Sequence, residues 1–169
     1  MSEKSRFILD SDSLIRSKRE HYAFDICPGF WAALIKGFSD ESIGSIIPVR
    51  KEILKGKDAL AEWIRDDVPQ NFLDAVDSPD VQDSYAEVIQ WVQAQPRFST
   101  AAKQKFAAGA DPWLVAFASA NKRELVTYEV RAPESKAFVK LPDVARQFKV
   151  KCLPPYVMLR QLKMRLSLD

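Results

Sequence analysis

Phe7-Ile8-Leu9-Asp10-Ser11-Asp12-Ser13-Leu14-Ile15 changes character within a few residues. Three consecutive apolar residues, with no polar alternation, read as a strand buried on both faces. Ser11, Asp12 and Ser13 then supply oxygen atoms suited to capping a helix, and Leu14 and Ile15 begin its apolar face. Strand, acidic turn and helix in immediate succession open a βαβ unit. Ligands of parallel sheets sit beyond the carboxyl ends of the strands. Asp10, directly after the apolar run, is therefore the first candidate functional residue.

The alternation continues along the chain. Cys27-Pro28-Gly29-Phe30-Trp31 leads into a helix over Ala32–Phe38, with proline near its first turn. Ile43–Val49 reads as a short strand, and Arg50–Leu54 as a helix with Gly56 at its C-cap. Asp58 can cap a helix over Ala59–Asp66. After a loop at Ser78-Pro79, helices are expected over Val81–Ala94, Thr100–Ala108 and Trp113–Ala120. The last of these opens at Asp111-Pro112 and is apolar almost all round, so it should be buried against a sheet. Leu125–Tyr128 reads as a strand, Phe138-Val139 as a possible short strand and Pro142–Phe148 as a helix. Lys151–Leu153 completes the strands and Tyr156–Leu166 the helices. Strands alternating with helices predict one α/β domain over 1–169 with a mainly parallel sheet.

Composition bounds the function. The chain has 169 residues, 47% hydrophobic and 28% charged, which gives enough apolar material for a core. The net charge of +2 provides no bulk attraction for phosphate, so any nucleic-acid contact must be local. Met1–Arg6 is polar and no apolar stretch reaches the ~20 residues of a membrane helix. The expectation is a cytoplasmic protein without membrane contact, with Cys27 and Cys152 reduced and packed as small hydrophobes.

Four carboxylates stand where a parallel sheet gathers ligands. Asp10 and Glu129 follow apolar runs, and Glu52 and Asp111 sit at expected helix starts. Carboxylates brought together repel, and their pKa values rise unless a cation compensates. Mg²⁺ and Mn²⁺ prefer oxygen ligands, acidify bound water and offset charge on a phosphodiester oxygen. No other set of residues offers a catalytic group: His21 is the only histidine, and neither a G-x-S-x-G nor a P-loop pattern occurs. Each acid also has an ordinary reading. Asp111 before Pro112 suits an N-cap, Asp12 can cap the first helix, Glu52 can favour a helix dipole, and Glu129 can be a solvated strand end.

These stretches resemble PIN domains. Phe7–Ile15 is similar to their opening strand and acidic loop, and Val49-Arg50-Lys51-Glu52-Ile53-Leu54 to their second motif. Ala110-Asp111-Pro112-Trp113-Leu114-Val115-Ala116 is similar to the third, and Leu125-Val126-Thr127-Tyr128-Glu129 to the Val-Thr-x-Asp/Glu strand of the fourth. A closer resemblance is to the PIN-like DUF4411 subfamily, through Tyr22–Trp31, Glu52–Asp58 with Trp63, Asp111–Trp113, Lys140–Asp143 and the region of Cys152. The resemblance implies a three-layer α/β/α PIN-like fold and Mg²⁺- or Mn²⁺-dependent hydrolysis of RNA, as in toxins encoded beside an antitoxin. It implies Asp10, Glu52, Asp111 and Glu129 as catalytic, metal-binding residues, with Asp12 and Thr127 in support. It also implies a cognate antitoxin as partner, and homodimers are common among relatives. Glu129 departs from the more frequent Asp, which suits a water-mediated role.

Arg16, Lys18 and Arg19 follow the acidic loop and are candidate phosphate contacts, or a solvated helix face. Lys149, Lys151, Arg160, Lys163 and Arg165 give a basic C-terminal region suited to RNA, an acidic antitoxin segment or simple solubility. Tyr22, Phe24, Phe30 and Trp31 could stack on bases, although packing is the simpler reading. Two alternatives to a toxin ribonuclease stay open: a catalytically weak RNA- or protein-binding module, and a metal-dependent DNA nuclease of flap-endonuclease type. The chain has no basic segment long enough to form the arch of the latter.

Overall fold

The computed structural model describes residues 6–168; the first five residues and Asp169, which the 1–169 domain and the polar Met1–Arg6 segment include, lie outside the described residues. Strand β1 (Phe7–Leu9) is wholly buried, as its unbroken apolar run requires, because it lies at the centre of the sheet. It pairs in parallel with β2 (Ile43–Ile46) on one side and β4 (Glu124–Val126) on the other. β3 (Leu73–Asp74) lies beyond β2, and β5 (Cys152–Leu153) beyond β4. The order is β3-β2-β1-β4-β5 and every pairing is parallel.

This order has a consequence for function. From β1 the chain winds outward to β2 and β3, and then returns to the opposite side of β1 as β4. The crevice between the carboxyl ends of β1 and β4 is the switch point at which ligands bind in doubly wound sheets. The register pairs Leu9 with Val126. Asp10 and Thr127 therefore leave the sheet side by side at that crevice.

Helices flank the sheet in a three-layer α/β/α arrangement. α1 (Ser11–Arg16) runs into a π-helical turn (Ser17–His21), followed by α2 (Pro28–Ser39). α3 (Ile47–Leu54) and α4 (Ala59–Asp66) join β2 towards β3, and a 3-10 turn (Gln70–Phe72) enters β3. α5 (Pro79–Ala94), α6 (Thr100–Ala108) and α7 (Asp111–Asn121) cross over to β4, and α8 (Leu141–Gln147) and α9 (Pro155–Gln161) flank β5. α7 packs along α5 and against β4, and its Leu114, Val115 and Ala116 are fully buried. The all-round apolar sequence of α7 thus has its cause in two-sided burial. Most of the buried apolar side chains form one contiguous cluster. No helix of the described residues is long and apolar enough to cross a membrane.

Several boundaries differ from the sequence reading, each for a local reason. β2 ends at Ile46, and α3 begins before rather than after Pro48. Proline cannot donate to a strand ladder but suits the first turn of a helix. β4 ends at Val126, just before Thr127, whose N–H makes the final bond to β5 at the Leu153 carbonyl (2.9 Å). Phe138-Val139 is not a strand: the Phe138 N–H is taken locally by the Ser135 hydroxyl at 3.2 Å. Gly56 is not a left-handed cap; the following Lys57 has positive φ instead (49°). α9 stops at Gln161 rather than Leu166, because left-handed Lys163 donates to the Arg160 carbonyl and Met164 to that of Leu159. That pair of bonds is a Schellman ending with lysine in the usual glycine position.

Candidate metal centre

The site begins with the residue after β1. The Asp10 N–H donates to the Val126 carbonyl (3.1 Å), the last sheet bond between β1 and β4. Asp10 then starts α1 as its N-cap: the carboxylate accepts from the Ser13 N–H (2.6 Å), and the Ser13 hydroxyl donates to the Asp10 carbonyl (2.8 Å). The Thr127 hydroxyl also hydrogen-bonds the Asp10 carboxylate and accepts from the Glu129 N–H (3.0 Å). Asp10 and Thr127 are each only 2% exposed. One hydroxyl thus ties the carboxylate after β1 to the backbone of the segment after β4.

Glu52 makes a second tie. It lies in the last turn of α3, where the helix dipole disfavours a negative charge, so the dipole reading of Glu52 fails. Its two oxygens are used elsewhere: one accepts the Ser11 hydroxyl (2.5 Å), the other the Ala110 N–H (2.7 Å). Glu52 therefore clamps the turn after β1 to the start of α7. Gly109 makes room for it, since a Cβ there would lie 3.2 Å from the Glu52 oxygen.

Asp111 is the first residue of α7. The N-cap is Ala110 and no side chain caps this helix, so Asp111 is not there as a cap. The capping role suggested for Asp12 falls to Asp10 instead. Asp10, Asp12, Glu52, Asp111 and Glu129 all line one cleft of about 560 Å³, together with Lys105, Phe138 and Lys140. Chain positions from 10 to 129 meet here because the switch point gathers the ends of β1 and β4 and the start of α7.

The electrostatics follow from burying several acids together. Burial holds the Asp10 carboxyl well above the ordinary carboxylate range, against hydrogen bonds from Thr127 and Ser13, and Asp111 and Asp12 add to the rise. Burial, then the charges of Glu129, Glu52 and Asp12, push Asp111 up to about 7. Asp12 is raised by burial and partly relieved by Arg16. Its Oδ2 is buried with no hydrogen-bond partner, and Arg16 Nη1 stands 3.8 Å away. Burial, with Asp10, Glu129 and Asp111 nearby, also drives the Cys152 thiol up to about 12.

This donor set fits a hard divalent cation: oxygen-only, carboxylate-rich and carrying an orphaned buried oxygen on Asp12. Among the described residues, no three Asp, Glu, His or Cys groups are already drawn together tightly enough to hold an ion. Uncompensated carboxylates repel, and backbone N–H groups already engage two of the five, Glu52 through Ala110 and Glu129 through Leu141 (3.1 Å).

Other candidates fall away from the cleft. Arg16, Lys18 and Arg19 do not line it; Arg16 pairs with Glu20 (3.2 Å) and reaches only Asp12 among the cleft acids, Lys18 pairs with Asp58 (2.6 Å) and Arg19 with Glu20 (2.7 Å). The cations of the cleft are Lys105 of α6 and Lys140 before α8, which no local sequence pattern links. Tyr22 stacks on Phe30 and Phe24 on Trp31, both ring pairs at 4.2 Å, so these aromatics pack rather than face a ligand. Cys27 and Cys152 are free thiols, half-buried and packed against the core cluster.

The family described as "Domain of unknown function (DUF4411)" matches residues 7–166. Comparison with curated proteins gave no match.

Proposed function

The chain belongs to the DUF4411 family, and on that footing we propose that its acidic cleft is the active site of a PIN-like, Mg²⁺- or Mn²⁺-dependent endoribonuclease, a toxin held in check by an antitoxin. The observation that carries this reading is the meeting of Asp10, Asp12, Glu52, Asp111 and Glu129 at the switch point, with three of them raised in pKa. Such a cluster is costly to maintain without a cation.

Asp10 and Asp111 would hold the ion, with Asp12, Glu52 and Glu129 beside them, directly or through water. When bound, the ion supplies acidification of water and compensation for charge on the phosphodiester. The chain's own residues do the positioning. Thr127 and the Ser13 N–H fix the Asp10 carboxylate, and Glu52 locks α7 so that Asp111 faces the cleft. A neighbouring carboxylate takes the proton of the attacking water.

The test is cleavage of RNA by purified protein with Mn²⁺, Mg²⁺ or EDTA, beside Asp10→Asn. Asparagine keeps the oxygen that caps α1, so the variant should fold and lose cleavage. Retained cleavage in Asp10→Asn would rule the mechanism out. The engagement of Glu52 and Glu129 by backbone N–H groups favours one second reading, a binding module that does not cut. Absence of cleavage with every metal, in a folded protein, would select it.

A further inference from the structure

Phe138 is 52% exposed and lines the same cleft as the acids. An exposed phenylalanine in a loop is ordinary by itself. Its neighbours are not: the Lys105 Nζ lies 5.4 Å and the Lys140 Nζ 5.5 Å from the ring centroid. They come from different elements, Lys105 from α6 and Lys140 from the residue before α8. Lys140 also reaches the acid cluster, where its charge lowers the pKa of Asp111. One aromatic face and two ammonium groups thus stand at the wall of a carboxylate cleft.

We propose that Phe138, Lys105 and Lys140 form a platform for one unpaired nucleotide of a single-stranded RNA, with the base on the Phe138 ring and the adjoining phosphates on the two lysines. This rests on the ribonuclease reading above and adds the residues that would seat the substrate beside the acids. The energetics favour exchange. An exposed cation–π contact contributes about 0.5–1 kcal/mol, whereas a base stacked on an aromatic side chain contributes about 1–3 kcal/mol. A base can therefore displace an ammonium from the ring, and the displaced ammonium gains a phosphate. A duplex cannot use the platform, because its bases are paired and stacked within the helix. The lysines also answer an electrostatic need, since a phosphate backbone approaching five carboxylates is otherwise repelled.

The experiment is fluorescence anisotropy on the full chain carrying Asp10→Asn, in Mg²⁺, so that probes survive. The probes are a labelled single-stranded RNA of about ten nucleotides, within the footprint of single-strand binding sites, its duplex, and the DNA strand of the same sequence. Phe138→Ala should weaken single-stranded RNA binding by about 5- to 150-fold, the loss of one stacked base, with an unchanged melting temperature. Phe138→Trp should retain binding, and duplex binding should not respond to either change. Lys105→Ala and Lys140→Ala should each lower the salt dependence of binding by roughly one phosphate contact. The proposal is overturned if Phe138→Ala and the parent bind the single strand equally, if the duplex loses as much as the single strand, or if DNA is preferred. Failure of the ribonuclease reading looks different: unmutated protein that binds the single strand through Phe138 yet never cleaves it with any metal.

Discussion

Asp111→Asn should make the protein more stable while abolishing its proposed activity. The folded chain retains a proton on Asp111 up to about pH 7, whereas an unperturbed carboxyl loses it near 3.8. Between these values the native state binds more protons than the unfolded state, so stability falls as pH rises through the window. At about 1.4 kcal/mol per pH unit, the complete effect is on the order of 4 kcal/mol at pH 8. Asp111 is partly accessible to solvent, and screening reduces the effect; about 2 kcal/mol or more should survive. Asparagine keeps the size and removes the charge. For a domain of this length, about 2 kcal/mol corresponds to a melting temperature higher by about 4–8 °C at pH 8. The advantage should shrink to less than half at pH 5 and vanish below pH 4, where both states of the wild type are protonated. Differential scanning fluorimetry across that range, with EDTA or Mn²⁺, provides the measurement. Mn²⁺ at a hundredfold excess over its Kd should return about 2.7 kcal/mol to the wild type and little to Asp111→Asn. A variant that melts at or below the wild type at pH 8, or equal stabilisation of both by Mn²⁺, would refute the reasoning.

Two further substitutions probe single contacts. Thr127→Val keeps the buried shape but deletes the hydroxyl shared between Asp10 and the Glu129 N–H; Mn²⁺ affinity measured by calorimetry should fall by about 10- to 100-fold, as when outer-shell partners of metal ligands are lost. Unchanged affinity would remove Thr127 from the site. Lys122 ends α7 in a left-handed conformation (φ 55°). Lys122→Gly relieves about 1–2 kcal/mol of steric cost against about 0.5–1 kcal/mol of added chain entropy. A net gain of about 0.5–1 kcal/mol in urea unfolding is expected, and a loss would show that the lysine side chain holds the helix end.

The parts that were legible in the sequence are those fixed by neighbours in the chain. Phe7–Leu9 had to be an inner strand because it has no polar alternation, and Thr100–Ala108 begins and ends in the structure where its sequence reading put it. The placement of Asp10, Asp111 and Glu129 in one cleft follows from strand–helix alternation, which fixes the side of the sheet on which loops gather, whereas Glu52 joins them from the last turn of α3 rather than from the helix start its sequence reading gave it. Helix ends were less legible. α7, α8 and α9 are followed by left-handed Lys122, Lys149 and Lys163, where glycine would have signalled the stop. The two-residue strand β3 carries too short a pattern to be seen. The roles of Ser11 and Gly109 were invisible because they depend on where Glu52 points, and that follows from α3 starting at Ile47 rather than after Pro48.

The same distinction separates the acids from the groups that would bind substrate. A strand end is a local feature, so an acid placed there can be recognised from its own neighbourhood. Arg16, Lys18 and Arg19 looked like phosphate contacts for the same local reason, but Glu20 pairs with both arginines and Asp58, distant in the chain, pairs with Lys18. Lys105, Phe138 and Lys140 meet only because α6 and the loop before α8 converge on the cleft, across a sequence gap spanned by α7 and β4. Cations free to meet a phosphate have to be sought where no carboxylate already pairs with them. In this fold that is the wall of the cleft formed by elements distant in sequence, which makes Lys105 and Lys140 stronger candidates than the basic run beside Asp10.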